Sequence, residues 1–238
     1  MHPDLEKCHA YVVCHLTGDN RPIHTAKTAM PFVTISRQTG AGGRTLGKIL
    51  QAYLDMKCSL PESDWTLFDR NLVETAMKEH GLPRRFAQYL PESRVSELSA
   101  VVGELLGLHP PLWDLNQHVY ETLIHLANIG GVILVGRGAN VVTRKLKYGF
   151  HLRLVGSLEK RAKRTAIYYK MSLPQARTFV EHEDKARRLW VKDNLDEDIN
   201  DPNLYHLTIN TDSLSMEDVA SMVGCHLQKW MPVLQQMG

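Results

Sequence analysis

Ten consecutive residues, Ser36-Arg37-Gln38-Thr39-Gly40-Ala41-Gly42-Gly43-Arg44-Thr45, bring together three glycines, two arginines and three hydroxyl side chains. Glycine adopts the backbone conformations that turn successive N–H groups toward one point, and such a nest holds an anion. A helix starting directly afterwards adds the partial positive charge of its N-terminus. Phosphate is the anion this arrangement suits. The full phosphate-loop pattern is G-x-x-x-x-G-K-[ST]. With Gly42 as its second glycine, Arg37 stands where the first glycine belongs and Gly43 where the lysine belongs. A glycine-rich strand-to-helix turn without a ligand is therefore the alternative. Arg37 and Arg44 flank the turn and can bring charge to phosphate oxygens in a bidentate geometry unlike lysine's; the alternative for them is a pair of solvated arginines.

Further groups share this chemistry. Asp69-Arg70, Gly136-Arg137-Gly138, Arg161 with Lys163 and Arg164, and Arg187 with Arg188 supply charge at separate points of the chain. Phosphoryl transfer depends mainly on positioning and charge stabilisation, so it needs such arginines. Arg161 and Arg164 are three apart on an expected helix and share a face. The competing reading is a basic solvated helix pair balanced by Glu181, Glu183 and Asp184. Asp69 fits equally as a contact to an acceptor and as the N-cap of a helix starting at Arg70. Asp212 reads as a turn residue.

These residues need elements to position them. Short β-branched or apolar runs at 32–35, 65–68, 132–135, 150–155 and 207–209 read as strands, with helical spacing between them, as in Leu46, Ile49, Leu50 and Leu54. Leu72, Val73, Ala76 and Met77 mark another helix, and 91–128 is helical with a break at the paired prolines Pro110 and Pro111. Ser157, Ser172 with Gln175, and Ser215 with Asp218 are helix-start signals. Five strands alternating with helices predict an α/β fold with a five-stranded parallel sheet. Ligands bind beyond the carboxyl ends of such strands. Four of the five strands end in the chemistry above: Ser36-Arg37, Asp69-Arg70, Gly136-Arg137 and Asn210-Thr211-Asp212.

Residues 1–30 read as an N-terminal extension and 31–238 as one domain. The net charge of +2 gives no bulk attraction for a polyanion, so no nucleic-acid partner is expected. No apolar run approaches a membrane span and no signal peptide is evident, so no membrane partner is expected. Four scattered cysteines fit a reducing, cytoplasmic setting. Cys8-His9, Cys14-His15 and His24 match no zinc-ligand spacing.

Over roughly residues 32–225 the chain resembles the cytidylate kinase-like family of P-loop nucleotide phosphotransferases. The resemblance rests on the turn from Ile35 to Arg44, on Phe68-Asp69-Arg70, on Val135 to Asn140, on Arg161 to Arg164, and on Asp201 to Thr211, in that order. It implies a nucleoside monophosphate kinase-like fold with a small helical lid at about 157–196. It implies ATP, with Mg2+, held by Thr39, Gly40, Ala41, Gly42, Gly43, Arg44 and Thr45. The acceptor is then a nucleotide or similar small molecule, with Asp69, Arg70, Arg137 and Arg188 on its side of the cleft, and Arg37, Arg161 and Arg164 are the catalytic cations. No protein metal ligand is assigned. Two positions depart from the family's kinases: Gly43 replaces the lysine, and Gly138 replaces an aspartate after Arg137. The first leaves open a nucleotide-binding regulatory module without turnover. The second leaves open a kinase for a non-nucleotide small molecule.

Overall fold

The structure, a computed structural model, describes residues 30–57, 64–69, 113–136 and 138–237, and among these it leaves out the side chains of 113–118 and 231–237. Arg70, Arg137, the helix expected around 72–77, the first part of the helical stretch expected from 91, and the Cys-His pairs near the N-terminus lie outside the described residues.

The strands are β1 (Phe32–Arg37), β2 (Thr66–Phe68), β3 (Val132–Val135), β4 (Gly149–Val155) and β5 (Leu207–Asn210). All pair in parallel, in the order β2-β3-β1-β4-β5. The helices described are α1 (Gly43–Lys57), α2 (Trp113–Ile129), α3 (Ala139–Val142), α4 (Leu158–Tyr169), α5 (Leu173–Leu195) and α6 (Met216–Met237).

β1 is central, and its apolar run is continuous because both of its faces are covered. Alternate residues serve the two faces. Val33 and Ile35, with Ile133, Val135, Leu152 and Leu154, pack against Leu46, Leu50 and Leu54 of α1 and Val219, Val223 and Leu227 of α6. Phe32, with Val132 and Leu134, packs against Leu123, Ile124 and Ala127 of α2 and Val141 and Val142 of α3. The leucines of α1 recur every four residues, so one helical stripe is buried. Each contributes about 1.5–3 kcal/mol by leaving water. α1 and α6 approach closely at Gly224, where any β-carbon would collide with the Tyr53 ring.

β1 extends two residues beyond the run read from sequence, because Ser36 and Arg37 pair with Arg153 and Leu154 of β4. Arg37 is thus a strand residue with a fixed direction. α4 and α5 form a hairpin that turns at Lys170, which has a left-handed φ of 54°. Ser172 N–H donates to Gln175 Oε1 at 3.1 Å where α5 starts. Asp218 N–H donates to Ser215 Oγ at 3.0 Å where α6 starts. Ser157 sits at the N-cap of α4, but its side chain makes no capping bond. Instead its N–H donates to both carboxylate oxygens of Asp212 at 3.0 Å, which places a negative charge at the helix's positive end. Asp212 N–H in turn donates to Asn210 Oδ1 at 3.0 Å, closing the turn after β5.

Candidate functional site

At the carboxyl end of β1 the chain turns sharply into α1. Gln38 N–H donates to Leu154 O at 2.9 Å, still in the manner of the sheet, and Ala41 N–H closes the turn onto Gln38 O at 3.1 Å. Gly40 and Gly42 have φ of 76° and 89°, a region that favours glycine. A β-carbon on Gly40 would run into the carbonyl oxygen of Arg161. Leu46 N–H donates to Gly42 O at 2.8 Å as α1 begins. Among the described residues, the amides of Gly40, Gly42 and Gly43 have no protein acceptor. Thr39 and Ala41 shape the turn with their own amides. Arg44 and Thr45 lie on the exposed side of α1's first turn.

A clamp from the helical hairpin fixes the turn. Asp184 of α5 accepts from Thr39 N–H at 2.7 Å and from Arg161 Nη1 at 2.6 Å. Arg161 also donates to Thr39 O at 3.0 Å and, through Nε, to Gly156 O at 2.8 Å. Arg187 donates to Arg37 O and to Thr39 Oγ1, both at 3.1 Å, and to Asp184 at 3.3 Å. Burial lowers the pKa of Arg187; Asp184 and Glu183 oppose that shift, and the nearby guanidinium groups of Arg153 and Arg161 add to it. Arg153 is a third cation here, only 5% exposed, donating to Ser36 Oγ at 3.1 Å and Asn200 Oδ1 at 2.9 Å. Its partners among the described residues are all neutral, and its guanidinium lies 5.5 Å from the centre of the Tyr205 ring. The neighbourhood of the turn is therefore cationic, with Asp184 as its inner carboxylate.

The other residues marked in the sequence fall around this frame. Arg37 leans from β1 across Gly43 toward Gly136 at the end of β3. Arg44 pairs with Asp69 at 3.1 Å, tying the start of α1 to the end of β2. Arg164 donates to Thr211 Oγ1 at 3.0 Å and to the Thr211 carbonyl, holding the end of β5. Arg188 is exposed on α5, on a different side from Arg187. Arg37, Arg44, Asp69 and Arg161 are thus brought to the turn, Arg164 is held at β5 on the far side of β4, and Arg188 faces solvent. The sequence alone marks Asp184 only as a balancing charge. Its i,i+3 spacing to Arg187 was the available signal, and a solvated helix carries the same spacing. Arg153 carried no signal, being one of two polar residues, with His151, in an otherwise apolar strand.

Among the described residues no group of three or more His, Cys, Asp or Glu side chains could hold a metal ion. No helix among them is long and apolar enough to cross a membrane.

The fold recurs in a solved structure of an uncharacterized protein from Eubacterium ventriosum, with a TM-score of 0.64, 14% identity, and coverage of 84% of this chain and 99% of that one. A shikimate kinase from Bacteroides thetaiotaomicron matches with a TM-score of 0.46, 16% identity, and coverage of 86% and 99% of the two chains. A shikimate kinase from Acinetobacter baumannii, solved in complex with shikimate, gives 0.41, 18%, 82% and 90% for the same measures. Among curated proteins none matches this chain. The model of the cytidylate kinase-like family matches residues 32–213. That match runs from the first residue of β1 to just past β5, taking in the glycine turn, the clamp and the whole sheet, and the chain belongs to the cytidylate kinase-like family.

Proposed function

We propose that this protein is an ATP-dependent phosphotransferase of the P-loop kind. It binds the triphosphate of ATP, with Mg2+, at the turn, and its acceptor is a nucleotide or a similar small molecule. One observation carries the reading: three glycine amides without acceptors among the described residues lie at the N-terminus of the 15-residue helix α1. The positive φ of Gly40 and Gly42 supports the reading, because successive amides of a turn in such conformations can converge on one anion.

Bound ATP with Mg2+ supplies the transferable phosphoryl group and part of its charge neutralisation. The chain's own residues do the rest. Gly40, Gly42 and Gly43 offer amides; Thr39 and Ala41 keep the turn's shape; Arg44 and Thr45 open α1. Arg161, through Asp184, holds the turn rigid, and Arg164 holds the end of β5 on the far side of β4. Arg37 is the cation nearest the missing lysine's position. Asp69, steadied by Arg44, is assigned to the acceptor's side; Arg70, Arg137 and Arg188 are assigned to it from the sequence alone.

The test is direct. Titration calorimetry with ATP and Mg2+ should show binding by the purified protein. A coupled assay of ATP consumption should then show turnover with at least one member of a panel of nucleoside monophosphates. No binding of ATP at millimolar concentration would overturn the proposal. Binding without turnover on any acceptor would favour a regulatory nucleotide-binding module, the reading that the bare Gly43 supports. Turnover with uncharged sugars or alcohols alone would move the acceptor class away from nucleotides.

A further inference from the structure

Two glycines at the mouth of the turn are packed against the same side chain. A β-carbon on Gly43 would lie 3.0 Å from Arg37 Cγ and 3.3 Å from Arg37 Cδ. One on Gly136 would lie 2.9 Å from Arg37 Cζ and collide with its Nη1. The stem of Arg37 therefore passes over Gly43, and its guanidinium lies over Gly136. β1 and β3 are adjacent there, with Gly136 N–H donating to Ile35 O at 3.1 Å. Arg37 thus spans the gap between α1's first residue and the end of β3.

The backbone explains only one of these glycines. Gly136 has a φ of 88°, where any side chain is strained. Gly43 is not among the residues with positive φ, and it opens a helix where alanine would be favoured. What Gly43 provides is space, and Arg37 fills it. The phosphate-loop pattern sets a lysine at this same position. We infer that Arg37 and Gly43 are an exchanged pair: the cation that serves the phosphate turn comes from strand β1 instead of helix α1, and Gly43 is bare so that it can pass. The first half of this inference rests on the phosphate-turn reading above; the second half stands on packing alone.

The two halves have separate tests. Thermal melting without ligand addresses the packing. Gly43→Ala should lower Tm by about 2–4 °C in the unmodified chain, where Arg37 must give way. In an Arg37→Ala background the same change should raise Tm, because only the gain in helix propensity remains. A rise in both backgrounds overturns the pairing. Calorimetry with ATP and Mg2+ addresses the charge. Arg37→Ala should weaken binding by about tenfold, the scale of one charge-assisted hydrogen bond. Gly43→Lys alone should also weaken it, since two stems compete for one path. Arg37→Ala with Gly43→Lys should recover affinity to within about threefold of the unmodified protein. Unchanged affinity in Arg37→Ala, or a double variant no better than Arg37→Ala, overturns the exchange while leaving the proposed function standing. No ATP binding by the unmodified chain overturns the proposed function and the first half of the inference, and leaves the packing of Arg37 over Gly43 to the melting test.

Discussion

The side chain that most constrains the turn is Asp184, which meets a backbone amide and two guanidinium groups at once. Its side chain is 23% exposed and that of Arg161 is 7%, so solvent screens the pair weakly. Asp184→Asn keeps the size and removes the charge. We expect it to cost about 2–3 kcal/mol in denaturant unfolding, because two largely buried cations lose their shared carboxylate. Tyr120 is the opposite case. Its hydroxyl is buried with no hydrogen-bond partner among the described residues, and burial pushes its pKa up. Tyr120→Phe leaves the packing against Trp190 in place and removes the stranded group. Stability should rise by about 1 kcal/mol in the same measurement, and a loss of that size would mean the hydroxyl is satisfied in solution.

At the scale of elements, the α4–α5 hairpin is fastened at its root. Arg161, Asp184 and Arg187 fix it to both sides of Thr39, while Ile167, Tyr168 and Tyr169 stand exposed at its far end. Any movement of a lid at 157–196 is therefore expected at the tip. The strands were legible in the sequence because strands of a buried parallel sheet read as unbroken apolar runs. α1 was legible from its period. What escaped was set by helix phase and by long-range partners. Successive residues on a helix differ by about 100° in direction, so nothing in Arg187-Arg188 says which one turns inward. The bond from Ser157 to Asp212 spans 55 positions and displaced the capping expected from Ser157. The path of Arg37 over Gly43 depends on β1 continuing two residues further than its apolar run. Arg70 and Arg137 lie outside the described residues, so their part in the site is carried by sequence alone.

Across the whole molecule, charge chemistry collects at the carboxyl ends of the strands and ring stacking collects toward the other end. His151 is hydrogen-bonded to Thr34 Oγ1 at 2.8 Å and stacks on His206, whose ring lies over Phe150. His226 and Trp230 complete the stack. Burial lowers the His151 pKa from 6.5 to about 4, with His206 adding to the effect. Burial also lowers His206, whose Nδ1 must stay unprotonated to accept from His151 N–H at 2.9 Å. The unfolded chain therefore binds protons more readily than the folded one between these values. Stability from this group is complete above pH 6.5 and should be lost as pH falls through about 4. Denaturant unfolding at pH 7, 5.5 and 4.5 should show the decline, and a His151→Gln variant should show a shallower one. Equal slopes in the two proteins would assign the acid sensitivity elsewhere.

The central place of β1 also governs how the chain comes together. One of its neighbours, β4, is reached far along the sequence, with Thr34 and His151 separated by 117 positions. A strand with such distant partners gains little from contacts near it in sequence, and pairing of that kind is slow. While the chain is being synthesised, β1 emerges before either neighbour and must wait with both of its hydrogen-bonding edges open. Its run of six residues, apolar enough to be buried on both faces, is then a segment that other chains or chaperones can meet first. β1 is flanked on both sides only after β4 has been made, so the strand that leads into the glycine turn is the one that waits longest for its place.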